Sequence, residues 1–171
     1  ERIDDEFLRT AGDQLKVVSN FAVGYDNIDV EACARAGVIA TNTPDAVTEG
    51  TADVAWALLM CAARRVVEGD RFARSGAWED HGPLGPADFL GQPLAGRTLC
   101  VVGAGRIGYA TAMRSIGWGM RILYVARTPK PAFELAPLNA EHVTLDEGLA
   151  RADFVSVHTP LTDATRHLIG A

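Results

Sequence analysis

Residues 98–108 read Thr-Leu-Cys-Val-Val-Gly-Ala-Gly-Arg-Ile-Gly. The apolar run before the first glycine is rich in β-branched residues and predicts a buried strand, and the residues after the last glycine favour a helix. Gly103, Gly105 and Gly108 mark the connection between the two elements. The stretch therefore predicts a strand, a tight turn and the start of a helix, around which the rest of the chain is arranged.

The three glycines have separate physical roles in such a turn. Gly103 allows the sharp change of direction, Gly105 lets the backbone approach a ligand, and Gly108 lets the helix pack closely on the strand. Backbone N–H groups and the positive end of the helix dipole then face the same point, where they favour an anion. The spacing predicts a binding site for the pyrophosphate of a dinucleotide.

The end of the strand that follows this helix indicates which dinucleotide binds. Met120–Val125 predicts this strand, and Ala126, Arg127 and Thr128 follow it, with Lys130 nearby. An NAD site commonly has Asp or Glu here, which bonds the ribose 2′-hydroxyl and repels a 2′-phosphate, whereas an arginine and a nearby hydroxyl suit that phosphate. We therefore expect NADP, with NAD as the alternative cofactor. The alternative for Arg127 is a solvated charge at a strand end.

Composition narrows the classes of function. The chain has 171 residues, 48% of them apolar, which is enough to bury the core of about one domain. Its 16 basic and 22 acidic residues give a net charge of −6 without a basic cluster, which argues against nucleic acid as a partner. The longest apolar run, Val54–Ala63, is too short to span a membrane. We expect a cytoplasmic protein without membrane contacts.

The cysteines indicate neither a metal site nor a disulfide framework. Cys33, Cys61 and Cys100 are widely spaced, and the pattern puts them in two helices and a strand. We expect them to behave as small buried apolar residues.

The remaining segments alternate between strands and helices, which predicts an α/β fold with a parallel sheet. The predicted elements are a strand Leu15–Ser19, a helix Val30–Ala36, a strand Val38–Thr41, one long helix Glu49–Arg74, a helix from Thr144 to Ala152 and a strand Asp153–His158. The long helix is apolar on nearly every face, so we expect it to be buried between layers or subunits. We expect no helix before Leu15 and irregular structure over residues 79–96.

Several separate blocks of sequence carry a resemblance to a known family. They are residues 19–29 (SNFAVGYDNID), 41–44 (TNTP), 48–53 (TEGTAD), the glycine turn at 98–108, and 153–162 (DFVSVHTPLT) with Thr165, Leu168 and Ile169. In this order they resemble the D-isomer-specific 2-hydroxyacid dehydrogenase family over nearly the whole chain. The likeness is strongest to the members that reduce glyoxylate or hydroxypyruvate.

The resemblance implies two domains. Residues 1–45 would be part of a flavodoxin-like substrate domain, and residues 46–171 part of a Rossmann-type, doubly wound NAD(P)-binding domain. In this family the cofactor domain is inserted into the substrate domain. The chain is therefore expected to be an internal fragment of a protein of about 320 residues, the size that two such domains need.

The resemblance also implies roles for individual residues. Val23 and Gly24 would hold the carboxylate of a small 2-keto or 2-hydroxy acid through backbone N–H groups, although by themselves they indicate a plain turn. Thr51 would lie beside the cofactor, its alternative being an ordinary residue of a first helical turn. The complete implied set of cofactor-binding residues is Thr51, Gly103, Gly105, Arg106, Ile107, Gly108, Arg127, Thr128 and Pro160.

The implied activity is reduction of a small 2-keto acid to the 2-hydroxy acid. This reaction needs a cation that polarises the carbonyl and a proton donor that works near neutral pH. The family supplies an arginine, a glutamate and a histidine that would all follow residue 171, so we expect no catalytic residue in this chain and interpret His158 as structural or cofactor-adjacent. Two classes remain, a reductase that is a homodimer when complete and a non-enzymatic dinucleotide sensor like the corepressors that resemble this family.

Overall fold

The computed structural model describes residues 2–170, which form two compact units. The first unit contains the residues up to Val47 together with those from Pro160 onward, and the second is Thr48–Thr159. The expected domain boundary between residues 45 and 46 lies close to the first division. The residues from Pro160 onward group with the first unit, and the expected extent of the cofactor domain over residues 46–171 stays a prediction.

The first unit is a small parallel βαβ arrangement with an additional helix. Its elements are α1 Asp5–Ala11, β1 Val17–Ser19, α2 Val30–Arg35 and β2 Ile39–Thr41. The two strands pair in parallel, with Val17 opposite Ile39. Asp29 begins α2 by accepting a hydrogen bond from the N–H of Ala32 at 2.8 Å. The βαβ prediction for this segment is confirmed.

Helix α1 corrects the expectation that no helix precedes Leu15. Asp4 caps it, because its carboxylate accepts a hydrogen bond from the N–H of Phe7 at 3.1 Å. The negative charges of Asp5 and Glu6 in the first turn interact favourably with the positive end of the helix dipole. These three acidic residues are the sequence signal from which α1 could have been predicted. The side chain of Leu8 in the same helix is buried in the core of the unit.

The second unit is built on a parallel sheet. Its elements are α3 Thr48–Ala63, α4 Val66–Arg74, α5 Ala77–His81, β3 Thr98–Val102, α6 Arg106–Arg114, a 3₁₀ helix Ser115–Trp118, β4 Arg121–Val125, α7 Pro131–Glu134, β5 Glu141–His142, α8 Leu145–Arg151 and β6 Phe154–Val157. The strands lie in the order β5-β4-β3-β6, and each pair is parallel. The chain moves outward from β3 through β4 and β5 and then returns to the other side of β3. The strand order therefore reverses between β3 and β6.

Helices cover both faces of this sheet. On one face, Leu99 and Val101 of β3 pack in a core with Trp56 of α3 and Ala112 of α6. On the other face, Cys100 is fully buried and lies against α8, where a Cβ added to Gly148 would be 2.7 Å from its Sγ. Strands buried on both faces are typical of doubly wound folds. The predicted α/β class with a doubly wound parallel sheet is confirmed.

The pairing of β3 with β6 is also fixed at the amino ends of the two strands. The carboxylate of Asp153 accepts the backbone N–H of Thr98 at 2.9 Å and the Arg97 guanidinium at 2.9 Å. The bond from Thr98, followed by the contact with Arg97, lowers the pKa of the Asp153 carboxyl. The ionised carboxylate therefore helps to hold the edge strand in register.

The prediction of one long helix over Glu49–Arg74 is wrong, because α3 and α4 are separate helices. The carbonyl of Ala63 accepts the N–H of Gln92 at 2.7 Å, and Arg65 has a left-handed backbone with φ of 54°. The chain therefore turns after α3 and does not continue its apolar pattern. The expected burial is also only partial, since Leu58 is 65% exposed. None of the helices within residues 2–170 has the length and apolar character needed to cross a bilayer.

Two helical glycines are predicted to respond in opposite ways to an added methyl group. A Cβ at Gly108 would lie 2.1 Å from the carbonyl oxygen of Gly103, whereas a Cβ at Gly69 would meet no atom within 4 Å. We expect Gly108→Ala to lower the free energy of unfolding by about 1–3 kcal/mol, because α6 must move off β3. The control Gly69→Ala should raise it by about 0.5–1 kcal/mol. Urea unfolding measures both, and equal effects would contradict the packing of α6.

Candidate functional site

The glycine turn lies where the order of the strands reverses. Gly103 follows β3 with a φ of 104°, which favours glycine, and its N–H donates to the carbonyl of Val125 at 2.9 Å. A Cβ at this position would lie 2.7 Å from the backbone C and O of His158. The ends of β3 and β6 therefore meet at a contact that leaves no room for a side chain. In open α/β sheets such a point of reversal is where ligands bind.

The helix that follows the turn has an open amino end. Gly105 is its N-cap and supplies no capping side chain, and the first turn contains no acidic residue. The first hydrogen bond within the helix runs from the N–H of Tyr109 to the carbonyl of Gly105 at 2.9 Å. A Cβ at Gly105 would meet no heavy atom within 4 Å, so a side chain at this N-cap position would face open space. Backbone donors, helix dipole and open space together suit a pyrophosphate.

The other predicted residues around this helix end differ in their exposure. Arg106, which is exposed, and Ile107, which is half-buried, directly follow the N-cap in the first turn of α6. Thr51 is exposed on the first turn of α3, and Pro160 is exposed directly after the end of the second unit. A contact of these residues with a cofactor stays a prediction.

His158 is held by its own strand and by β3. Its backbone N–H donates to the carbonyl of Val102 at 2.7 Å, and its Nε2 lies 2.8 Å from the hydroxyl of Ser156. Burial lowers the pKa of the His158 imidazole, which favours the neutral ring. The side chain is thus paired beside the glycine turn, as a structural or cofactor-adjacent residue would be.

The loop after β4 presents the predicted phosphate-binding residues. Arg127, Thr128 and Lys130 are all exposed. Within residues 2–170, the guanidinium of Arg127 takes part in none of the hydrogen bonds or ion pairs of the structure. Its charge is therefore available to an anion at the end of β4.

Two residues that the sequence did not single out for this purpose anchor that loop. The buried Tyr124 donates its hydroxyl to Glu134 at 2.6 Å and accepts the backbone N–H of Lys130 at 2.8 Å. Burial, followed by the bond to Glu134, raises the pKa of Tyr124, so the hydroxyl stays protonated and can donate. His142 stacks on the Tyr124 ring and its Nε2 lies 3.0 Å from the carbonyl of Ala126. The backbone of the loop is thus fixed near both of its ends.

Val23 and Gly24 belong to the first unit. Val23 is half-buried and Gly24 is exposed, and both lie in the loop after β1. Among the described residues, no hydrogen bond uses the backbone N–H of either residue. The same part of the chain holds no group of three His, Cys, Asp or Glu side chains arranged for a metal ion. The loop can therefore offer these two backbone N–H groups as donors.

Comparison with known proteins identifies the family. The profile of the "D-isomer specific 2-hydroxyacid dehydrogenase, NAD binding domain" matches residues 56–171. A protein named glyoxylate reductase from Thermococcus onnurineus is 52% identical over 170 residues, which are 99% of this chain and 50% of that protein. The chain spans about half the length of the curated relatives it matches.

Solved structures agree with this assignment. The TT0316 protein from Thermus thermophilus superimposes with a TM-score of 0.88 at 46% identity, over 98% of this chain and 51% of that one. A glyoxylate reductase from Paecilomyes thermophila superimposes with a TM-score of 0.84 at 35% identity, over 98% of this chain and 49% of that one. The match to the NAD-binding domain supports a nicotinamide dinucleotide as the cofactor. The chain belongs to the D-isomer specific 2-hydroxyacid dehydrogenase family.

Proposed function

We propose that this chain is the cofactor-binding half of a reductase that converts a small 2-keto acid, glyoxylate or hydroxypyruvate, to the 2-hydroxy acid. The observation that carries the proposal is the open amino end of α6 at the reversal of the strand order, with its uncapped Gly105. Relatives of about 50% identity that are named glyoxylate reductase support the choice of substrate. A reduced nicotinamide, when bound, supplies the hydride for C2 of the keto acid.

In that reaction the residues of this chain bind the cofactor and the keto acid and orient them. The first turn of α6 holds the pyrophosphate, with Arg106 and Ile107 beside it, and Gly103 leaves room for the backbone of His158 next to the turn. Thr51 and Pro160 are proposed as further neighbours of the cofactor. Val23 and Gly24 offer backbone N–H groups to the carboxylate of the keto acid.

We assign the cofactor preference to NADP. Arg127 is exposed without an acidic partner in the described part of the chain, and Thr128 adds a hydroxyl. Charge-assisted bonds from a guanidinium favour a 2′-phosphate, and a carboxylate that would repel it is absent from residues 126–130.

The proposed reductase is a homodimer. Leu58 on α3 is 65% exposed, and Ile116 and Trp118 of the 3₁₀ helix are each 44% exposed. An open pocket of about 320 Å³ lies in the same unit and is lined by Trp56, Ala57, Met60, Arg114 and Trp118. A second copy that covers these apolar side chains would remove them from water. Sedimentation velocity tests the association, and a monomer at every concentration would contradict it.

The 171-residue chain by itself is predicted not to reduce glyoxylate or hydroxypyruvate with NADPH. Orientation of the reactants is not sufficient, because the arginine, glutamate and histidine that polarise the carbonyl and deliver the proton are proposed to lie outside this sequence. The assay follows NADPH oxidation by the chain and by a longer form that extends to the full length of the relatives.

The longer form should turn over both keto acids, and the chain should bind NADPH without turnover. Turnover by the chain within about tenfold of the longer form would contradict the assignment of catalytic residues and would make His158 the candidate proton donor. Absence of turnover by the longer form would contradict the proposed activity itself.

Replacement of Arg127 is predicted to remove the preference for NADPH. Loss of one charge-assisted contact with a phosphate should weaken NADPH binding by about ten- to a hundredfold, whereas NADH binding should change little. Calorimetric titration of Arg127→Ala with both cofactors measures this difference. Arg121→Ala is the matched control, because Arg121 is an exposed arginine at the opposite end of β4. Equal losses for the two cofactors, or tighter binding of NADH by the unchanged chain, would contradict the assignment.

A further inference from the structure

The loop that follows β1 has its backbone carbonyls bound at three successive positions. The N–H of Thr43 donates to the carbonyl of Ala22 at 3.0 Å, Nδ2 of Asn42 donates to that of Val23 at 2.9 Å, and Nδ2 of Asn20 donates to that of Gly24 at 2.7 Å. All three donors come from the residues directly after β1 and β2. The parallel pairing of these strands, with Ser19 opposite Thr41, brings the donors to the same end of the unit.

These bonds determine where the N–H groups of the loop point. In a planar trans peptide the C=O and the following N–H point in opposite directions. The bound carbonyl of Ala22 therefore fixes the N–H of Val23, and the bound carbonyl of Val23 fixes the N–H of Gly24. Neither N–H is used by a hydrogen bond among residues 2–170. The loop is thus held with two backbone donors directed away from the groups that bind its carbonyls.

Asn42 is the side chain on which the Gly24 donor depends. It is half-buried and follows β2 directly, so the strand fixes its backbone. Only its amide nitrogen can face a carbonyl oxygen, because an oxygen in that position would be repelled. We infer that Asn42 is a positioning residue that holds the Val23–Gly24 peptide so that the Gly24 N–H donates to a substrate carboxylate. This inference rests on the proposed binding of the keto acid by Val23 and Gly24.

The test is titration of the ¹⁵N-labelled chain with oxamate, a carboxylate that resembles a 2-keto acid. Oxamate should shift the amide signals of Val23 and Gly24 in the unchanged chain. Asn42→Ala should weaken oxamate binding by about three- to tenfold, because a carbonyl loses its donor. Asn42→Asp should weaken it by more than about tenfold, because a nearly isosteric carboxylate repels the carbonyl of Val23. Thr41→Val is the control, since the hydroxyl of Thr41 hydrogen-bonds only that of Ser19 among the described residues.

The order of the variants separates positioning from packing. A role in packing alone predicts that Asn42→Ala is worse than the nearly isosteric Asn42→Asp, and that order would overturn the inference. NADPH binding and the unfolding midpoint of both variants should stay close to those of Thr41→Val. Oxamate binding that is equal in all variants would overturn the role of Asn42 but leave the proposed function standing. If oxamate does not shift the amide signals of Val23 and Gly24 in the unchanged chain, both the role of Asn42 and the proposed binding of the keto acid by these residues would be overturned.

Discussion

The close approach of α6 to the end of β3 is the constraint on which the second unit depends. Gly108 has no side chain where a Cβ would lie 2.1 Å from the carbonyl of Gly103, so the helix can begin directly above the strand. Gly103 in turn leaves room for the backbone of His158 at the end of β6. These two contacts put the open amino end of α6 at the point where the strand order reverses. A larger residue at either position would separate the anion-binding helix end from the sheet.

The loops that carry the other candidate residues are also held in place by contacts to their backbone. After β4, Tyr124 and His142 bind backbone groups of Lys130 and Ala126, and the side chain of Arg127 stays exposed. After β1, the Asn42 amide binds a loop carbonyl, and the N–H of Gly24 stays available. In both loops hydrogen bonds hold the backbone and leave the groups suited to an anion uncovered. Preorganised donors of this kind bind without the entropic cost of reordering the loop.

The sequence predicted those features that depend on local pattern. The βα turn and the helices α2 and α8 follow from short-range sequence patterns, and the structure confirms them. The end of α3 could not be predicted, because the N–H of Gln92 that binds the carbonyl of Ala63 comes from a distant segment. The stacking of His142 on Tyr124 likewise depends on the pairing of two strands. Helix α1 was predictable in principle, since Asp4 is an N-cap residue.

Binding of NADPH to Gly105→Val tests the central claim, which is that the open end of α6 holds the pyrophosphate. The valine side chain should be tolerated by the fold, and the circular dichroism retained, because a Cβ at Gly105 would meet no heavy atom within 4 Å. It would nevertheless exclude phosphate from the helix end, and affinity should fall more than about a hundredfold through the loss of several charge-assisted bonds. Gly117→Val, which also enters open space, should bind as the unchanged chain does. Undiminished NADPH binding by Gly105→Val would contradict the account.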